Sequence, residues 1–313
     1  MRSTAIELEP LGREDSEALA DALLEEHQVT AKVRARLLDK AEGNPLFVEE
    51  TVRMLVEQGA DGGDRIPDSL QAMIGARIDR LPAGAKIVLQ RGSVIGRTFW
   101  AGAIDHLSPE YDSDELEDLL DDLLLRDLVT REERSTIGGE AAYRFKHVLI
   151  REVAYGGLSK SGRAEYHTRF AEWLREKADK ELLEIRAYHL DQACLLYAEL
   201  DGHPPEELAR TAAKALGSAG KRALARESNL SARKLLLRSV ELEPTLGRRF
   251  LAARAAWQLG DLPVVRDEMT VLAEQAAADG RHSNISDVEV DERAGGSVVS
   301  RHAARADVGD VEV

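Results

Sequence analysis

The 313-residue chain has a single cysteine, Cys194, so no disulfide forms within it and no cysteine-based metal site can be built. It also lacks a G-x-x-x-x-G-K-[ST] segment: the only Gly-Lys pair, Gly220-Lys221, is followed by Arg222. A phosphate loop of that form supplies backbone N–H groups, a lysine for the β/γ oxygens and a hydroxyl for Mg²⁺, so without it phosphoryl transfer has no site. Neither a G-x-S-x-G elbow nor an H-E-x-x-H helix occurs. No window approaches ~18 uninterrupted apolar residues. The start, Met1-Arg2-Ser3-Thr4-Ala5-Ile6-Glu7, has no apolar core of a signal peptide. Positive charge is short as well: the formal net charge of −15 works against nonspecific binding to nucleic acid or anionic membrane. The expectation is a cytoplasmic protein with no catalytic residue, no metal ligand and no membrane contact.

What is present is helical. At 43% hydrophobic and 32% charged, the composition is that of an ordinary globular protein, long enough for two or three units of about 100 residues. Residues 14–26 place Leu19, Leu23 and Leu24 on one face, and Thr30 is positioned to cap a second helix with Val33, Leu37, Leu38 and Ala41 inward. The corner Glu42-Gly43-Asn44-Pro45 follows: Gly43 suits the positive φ that ends a helix, and Pro45 suits a first helical turn. A third helix over 47–57 turns Val48, Val52, Leu55 and Val56 inward. The glycine-rich stretch 59–64 reads as a boundary, which gives a helical unit over 1–59.

A second unit is expected over 65–160. Leu70, Met73, Ile74, Ile78 and Leu81 share a face, Pro82 opens another helix, and 99–107 reads as a third. The fourth, capped by Asp112 or Ser113, is the clearest amphipathic helix, with Leu116, Leu119, Leu120, Leu123 and Leu124 at core spacing. Residues 128–133 and 141–146 flank Gly138-Gly139 as the strands of a hairpin, and 147–158 closes the unit as a helix, which together make a winged helix. Ala-rich helix pairs over 161–280, with a Pro244 stop and a Gly260-Asp261 corner, read as a tetratricopeptide-like solenoid. Residues 281–313 have no helical periodicity and no aromatic residue, and read as a disordered tail. The fold class expected is mainly α: helical lid, winged helix with a small β-hairpin, then α-solenoid.

Four motifs in order carry a family resemblance: Glu42-Gly43-Asn44-Pro45-Leu46-Phe47; Ile66-Pro67-Asp68-Ser69-Leu70-Gln71 with Ala76-Arg77-Ile78-Asp79-Arg80-Leu81; Ser93-Val94-Ile95-Gly96-Arg97-Thr98-Phe99; and Tyr143-Arg144-Phe145-Lys146-His147 through Ala154-Tyr155. Together they resemble the region downstream of the catalytic core in bacterial signal-transduction ATPases with numerous domains, notably those fused to class III adenylate or guanylate cyclases or to LuxR-type regulators. The resemblance runs from about residue 5 to about residue 279. It implies a helical lid, a winged helix and a tetratricopeptide-like sensor following a nucleotide-binding domain that this sequence does not contain, with ADP holding a closed state and ATP plus an inducer opening it. By resemblance, Pro45 matches the lid proline that packs on adenine, and His147 matches a winged-helix histidine that reaches the β-phosphate. The phosphate loop would lie before residue 1, so no cofactor is expected on this chain alone, and ATP or ADP belongs to the full-length family.

Each residue also has a plainer reading. Gly43-Asn44-Pro45 is by itself a helix corner, and His147 is a histidine at a strand-to-helix junction. Asp112, Asp114, Glu115, Glu117, Asp118, Asp121 and Asp122 form a solvated acidic face. That face bears on function, because a DNA-reading winged helix presents Arg, Lys, Asn or Gln at this position. The function expected is a non-catalytic regulatory fragment that relays nucleotide and inducer state, with a protein partner or inducer on the solenoid and a nucleotide-binding domain in cis or trans. The alternative is a winged-helix DNA-binding transcriptional regulator that uses Arg131, Arg134 and Arg144 of the wing.

Overall fold

The computed structural model describes residues 9–24, 29–58, 69–178 and 182–278. The boundary expected at 59–64 and the tail expected at 281–313 lie outside the described residues. What is described is mainly α, with fourteen helices and one three-stranded antiparallel sheet among the described residues. The chain divides into two compact units, Met1–Leu208 and Ala209–Val313.

The first unit opens with α1 (Arg13–Leu24), α2 (Ala31–Ala41) and α3 (Pro45–Gln58). The Thr30 hydroxyl accepts from the Val33 N–H at 3.3 Å, which supplies the expected N-cap of α2. Leu24, Leu37, Leu38, Phe47, Val52 and Leu55 meet in one apolar core. Met54 is buried there, whereas Val56, expected inward, is 41% exposed. The helix α4 (Leu70–Asp79), capped by Ser69, sits between two cores: Met73 packs with α1 to α3, while Ile74 and Ile78 pack into the next.

That next core is built on α5 (Ala83–Ile95), β1 (Thr98–Trp100), α6 (Ala101–Leu107), α7 (Ser113–Leu125), β2 (Val129–Arg131), β3 (Ala142–Phe145) and α8 (Val148–Gly156). The strand order is β1-β3-β2, with Phe99 opposite Tyr143 and Val129 opposite Phe145. The hairpin expected from 128–133 and 141–146 is present as β2 and β3, with a helix following it. One difference from the sequence expectation is informative: residues 98–100 are a strand and not the start of a helix. Gly96 ends α5, and Phe99 then stacks on Tyr143 at 5.8 Å and packs against Phe145 at 5.4 Å. Short β-branched and aromatic runs read as strand only when a partner strand is present, and that partner lies some forty residues away in β3. The N-cap of α7 is Asp112, in a full capping box with Glu115.

The apolar core does not stop at residue 160. α9 (Lys160–Ala178) and α10 (Leu183–Asp201) pair with each other, and Phe170 and Trp173 stack on Trp100 at 6.3 and 6.0 Å. The second unit consists of α11 (Glu206–Ala225), which begins just before the division, then α12 (Asn229–Leu242), α13 (Leu246–Gln258) and α14 (Leu262–Ala278). Small residues on α11 let α12 approach: a Cβ on Gly220 would lie 2.5 Å from Leu236, and the Ser239 hydroxyl donates to the Ala213 carbonyl at 2.6 Å. Gly260 takes φ +72° at the expected corner, where Asp261 receives Arg233 at 2.6 Å. Successive helices packed on their neighbours are the solenoid arrangement expected from the Ala-rich pattern.

Candidate functional site

The Gly43-Asn44-Pro45 corner is a tightly made joint between helices. Glu42 and Gly43 both take left-handed backbone, at φ +47° and +77°. The Asn44 side chain accepts from the Leu46 and Phe47 N–H groups at 3.0 and 3.3 Å, so it caps α3 and leaves Pro45 in the first turn, where no N–H is needed. Gly43 is held from the other side, since its carbonyl accepts the Leu11 N–H at 2.9 Å. A Cβ there would fall 2.5 Å from the Leu11 carbonyl oxygen. Pro45 itself is exposed.

From this corner α3 projects two sets of polar side chains. Pro45, Glu49 and Arg53 recur every fourth residue and therefore share one stripe. Glu50 lies off that stripe and is 1% exposed, against an Arg77 on α4 that is 3% exposed. The Arg77 guanidinium donates to Glu50 Oε2 at 2.8 Å and also to the carbonyl of Arg126, which caps the end of α7. Asp127 follows in left-handed backbone at φ +55°. Its carboxylate is paired with Arg53, and Lys146 donates to it at 2.5 Å. Burial pushes the Asp127 carboxyl up, but the Lys146 hydrogen bond and the charges of Arg53 and Lys146 outweigh it and hold the group below the ordinary carboxylate range. Arg53 also donates to Glu49 at 3.2 Å, and Lys146 lies 3.8 Å from the same carboxylate.

His147 completes the group as the N-cap residue of α8, and its side chain makes no capping hydrogen bond to that helix. Its Nε2 is buried, makes no hydrogen bond, and sits 3.8 Å from Glu49 Oε2. Glu49 is four residues from Pro45, or about 6 Å along the helix. The two residues that the resemblance singled out, about a hundred positions apart in sequence, therefore flank one junction between α3 and the base of the β2/β3 hairpin. The junction balances three carboxylates (Glu49, Glu50, Asp127) against three fixed cations (Arg53, Arg77, Lys146), with the His147 ring beside Glu49.

Glu50, Arg77 and Asp127 were not singled out from sequence. The available signal was an Arg and a Glu at buried helical spacing, beside Ile74 and Ile78 and between Val48 and Val52. Among the described residues no group of three or more His, Cys, Asp or Glu is placed to hold a metal ion, and no helix is long and apolar enough to cross a membrane. On α7, Asp114, Glu115, Glu117, Asp118 and Asp121 are exposed, while Asp122 pairs with Arg126 at 2.9 Å.

Comparison with known proteins gives two matches. A family described as a domain of unknown function (DUF8739) matches residues 12–60, the three-helix segment that contains the corner. No curated protein matches the chain. Among solved structures, the crystal structure of a signal transduction ATPase with numerous domains, carrying a tetratricopeptide repeat sensor and coming from Pyrococcus horikoshii, is similar at 15% sequence identity with a TM-score of 0.43. The similarity covers 88% of this chain and 43% of that one, so this chain spans less than half the length of the protein it matches.

Proposed function

We propose that this chain is a non-catalytic regulatory segment of a signal-transduction ATPase, with α1 to α3 as the lid, α4 to α8 as the winged-helix relay and the later helices as the sensor. The observation that carries this reading is the junction where the Pro45 stripe of α3 meets Asp127, Lys146 and His147. Such a network ties the orientation of one helical unit to that of the next, which a relay needs and a simple helix corner does not. In the full-length protein, adenine would lie against the exposed Pro45 ring and the phosphates toward His147, while the cradle for ATP or ADP would come from a nucleotide-binding domain in cis or trans. A nucleotide cyclase or a transcriptional regulator would be the output, and a protein partner or inducer would occupy the solenoid. The reading places the protein in the cytoplasm.

The acidic exposed face of α7 weighs against the DNA-binding alternative, because carboxylates at the position of a recognition helix repel the phosphate backbone. The test of the proposal is turnover. The purified chain is expected to leave ATP unhydrolysed at every protein concentration, with no heat of binding on titration of ADP. ATP hydrolysis that rises in proportion to the protein added would overturn it.

A further inference from the structure

Two histidines outside the site just described face each other inside the first unit. His167 on α9 and His189 on α10 are each 2% exposed, and their Nδ1 atoms are 2.7 Å apart. His167 Nε2 lies 3.1 Å from the Tyr155 hydroxyl of α8. His189 makes a hydrogen bond to the backbone of Ile95, the last residue of α5. That bond favours the charged ring, so the imidazole is its donor and the Ile95 carbonyl its acceptor. The remaining protons follow. With its own proton on Nε2, neutral His189 accepts at Nδ1; His167 then donates from Nδ1 and accepts at Nε2; and the Tyr155 hydroxyl donates to it. The chain Tyr155 to His167 to His189 to Ile95 is fully satisfied with both rings neutral.

The surroundings keep it neutral. Phe170 of α9 presents its ring to His189 in a T-shaped contact at 4.7 Å, and Tyr188 does so at 5.2 Å. The charges that act on the pair are the guanidinium groups of Arg151 on α8 and Arg163 on α9, both stacked over Tyr155, at 5.8 and 4.5 Å from its ring. Arg151 also donates to the Ser93 carbonyl at 2.9 Å. Two of the otherwise unpaired carbonyls at the end of α5, Ser93 and Ile95, are therefore capped by side chains from α8 and α10. The Arg151 bond ties α8 to α5, while the Tyr155–His167 and His189–Ile95 bonds join these elements to the α9/α10 pair.

We propose that the Tyr155–His167–His189 chain is a proton-sensitive joint that fastens α9 and α10 to the winged-helix elements at neutral pH and loosens them on acidification. The regulatory meaning of this joint rests on the relay reading above, whereas its chemistry stands on the geometry alone. A first added proton settles on His167 Nε2, and the Tyr155 hydroxyl turns from donor to acceptor. Every hydrogen bond survives, but a cation is then buried beside two guanidinium groups. A second proton puts hydrogens on both Nδ1 atoms across 2.7 Å, and the rings must part. Burial, reinforced by Arg151 and Arg163, pushes His167 down to about 4 from 6.5, and burial with the His167 charge pushes His189 well down. The open form therefore binds more protons than the closed one. Closure is fully stabilised above the ordinary histidine value and loses that stability as pH falls from there toward about 4. From His167 alone the opening equilibrium rises about 30-fold between pH 8 and pH 5.

The test uses the full chain. Two-dimensional NMR on ¹⁵N-histidine-labelled protein is expected to show one ring as the Nδ1–H tautomer and one as the Nε2–H tautomer, both uncharged at pH 5, where an added free histidine derivative is charged. Hydrogen exchange of α9 and α10 peptides, corrected for intrinsic rates and compared with α7, is expected to show the 30-fold rise, and the double replacement His167→Phe with His189→Phe to abolish it. Either ring titrating with the free derivative overturns the proposal, as does exchange in α9 and α10 that tracks α7, or a pH dependence unchanged in the double variant. Should the double variant fail to fold, the tautomers of the unaltered protein still decide the matter. ATP turnover by the chain would refute the relay reading and leave these measurements untouched.

Discussion

The buried pair Glu50–Arg77 gives the sharpest stability prediction. Each side chain is nearly inaccessible, and Arg77 also serves the Arg126 carbonyl, while Glu50 Oε1 has no hydrogen-bond partner and lies 3.8 Å from Arg53. Replacing one member leaves an uncompensated charge out of water, which costs about 3–5 kcal/mol. Glu50→Leu and Arg77→Met should each lose that much. The double variant removes both charges and retains apolar volume, so the remaining cost is the orphaned Arg126 carbonyl, about 1 kcal/mol. The coupling energy of the cycle is then at least about 5 kcal/mol, far beyond an exposed ion pair. Urea titration followed by tryptophan emission can read this from the first unit, because Trp100 and Trp173 are 7% and 3% exposed there, whereas Trp257 in the second unit is 46% exposed and contributes a red-shifted background. Additive single costs, or single replacements that each cost under about 1 kcal/mol, would refute the reasoning that two desolvated charges depend on each other.

Three further outcomes are expected. Gly43→Ala should destabilise the first unit by about 1–3 kcal/mol, since φ +77° is strained for alanine and the new Cβ would press on Leu11; an unchanged urea midpoint would contradict it. Asp127→Asn keeps a residue that tolerates left-handed backbone but removes the charge, so it should cost about 1 kcal/mol at pH 7. Because the folded Asp127 carboxyl sits below its ordinary 3.8, this advantage is present above that value and lost as pH falls through the folded one. The gap in midpoint between variant and parent should therefore close in strongly acidic buffer, and a constant gap would show that charge is not its origin. Asp112→Ala removes the capping box of α7 and should cost about 1 kcal/mol, seen as a lower melting temperature by circular dichroism, while Asp112→Asn should recover most of it.

Much of the helical scaffold was legible because its signals are local. Thr30 and Asp112 stand before apolar runs of helical spacing and cap the helices they precede, whereas the capping role of Asn44 showed only in the fold. The hairpin at 129–145 followed from β-branched and aromatic residues around paired glycines, and α11 to α14 from alanine spacing with Pro and Gly-Asp stops. Strand β1 was not legible, because Thr98-Phe99-Trp100 becomes a strand through Ala142 to Arg144, which local propensity does not reach. The interior charges escaped for the same reason. Nothing in the neighbourhood of Arg77 says that Glu50 will meet it, and nothing around His167 says that His189 will sit 2.7 Å away.

The sequence by itself determined the class of this protein: one cysteine, no phosphate loop, a net charge of −15 and 3.6-residue apolar periodicity define an acidic, mainly helical chain. Only tertiary structure decided what the polar residues do. It placed His147 3.8 Å from Glu49 on the Pro45 stripe, shut Glu50 and Arg77 away together, and lined up Tyr155, His167 and His189 in one hydrogen-bonded row. Periodicity depends on neighbours three and four positions away, so a sequence reveals it. The partner of a buried charge or imidazole is set by how whole helices pack, and that is fixed only when the fold closes.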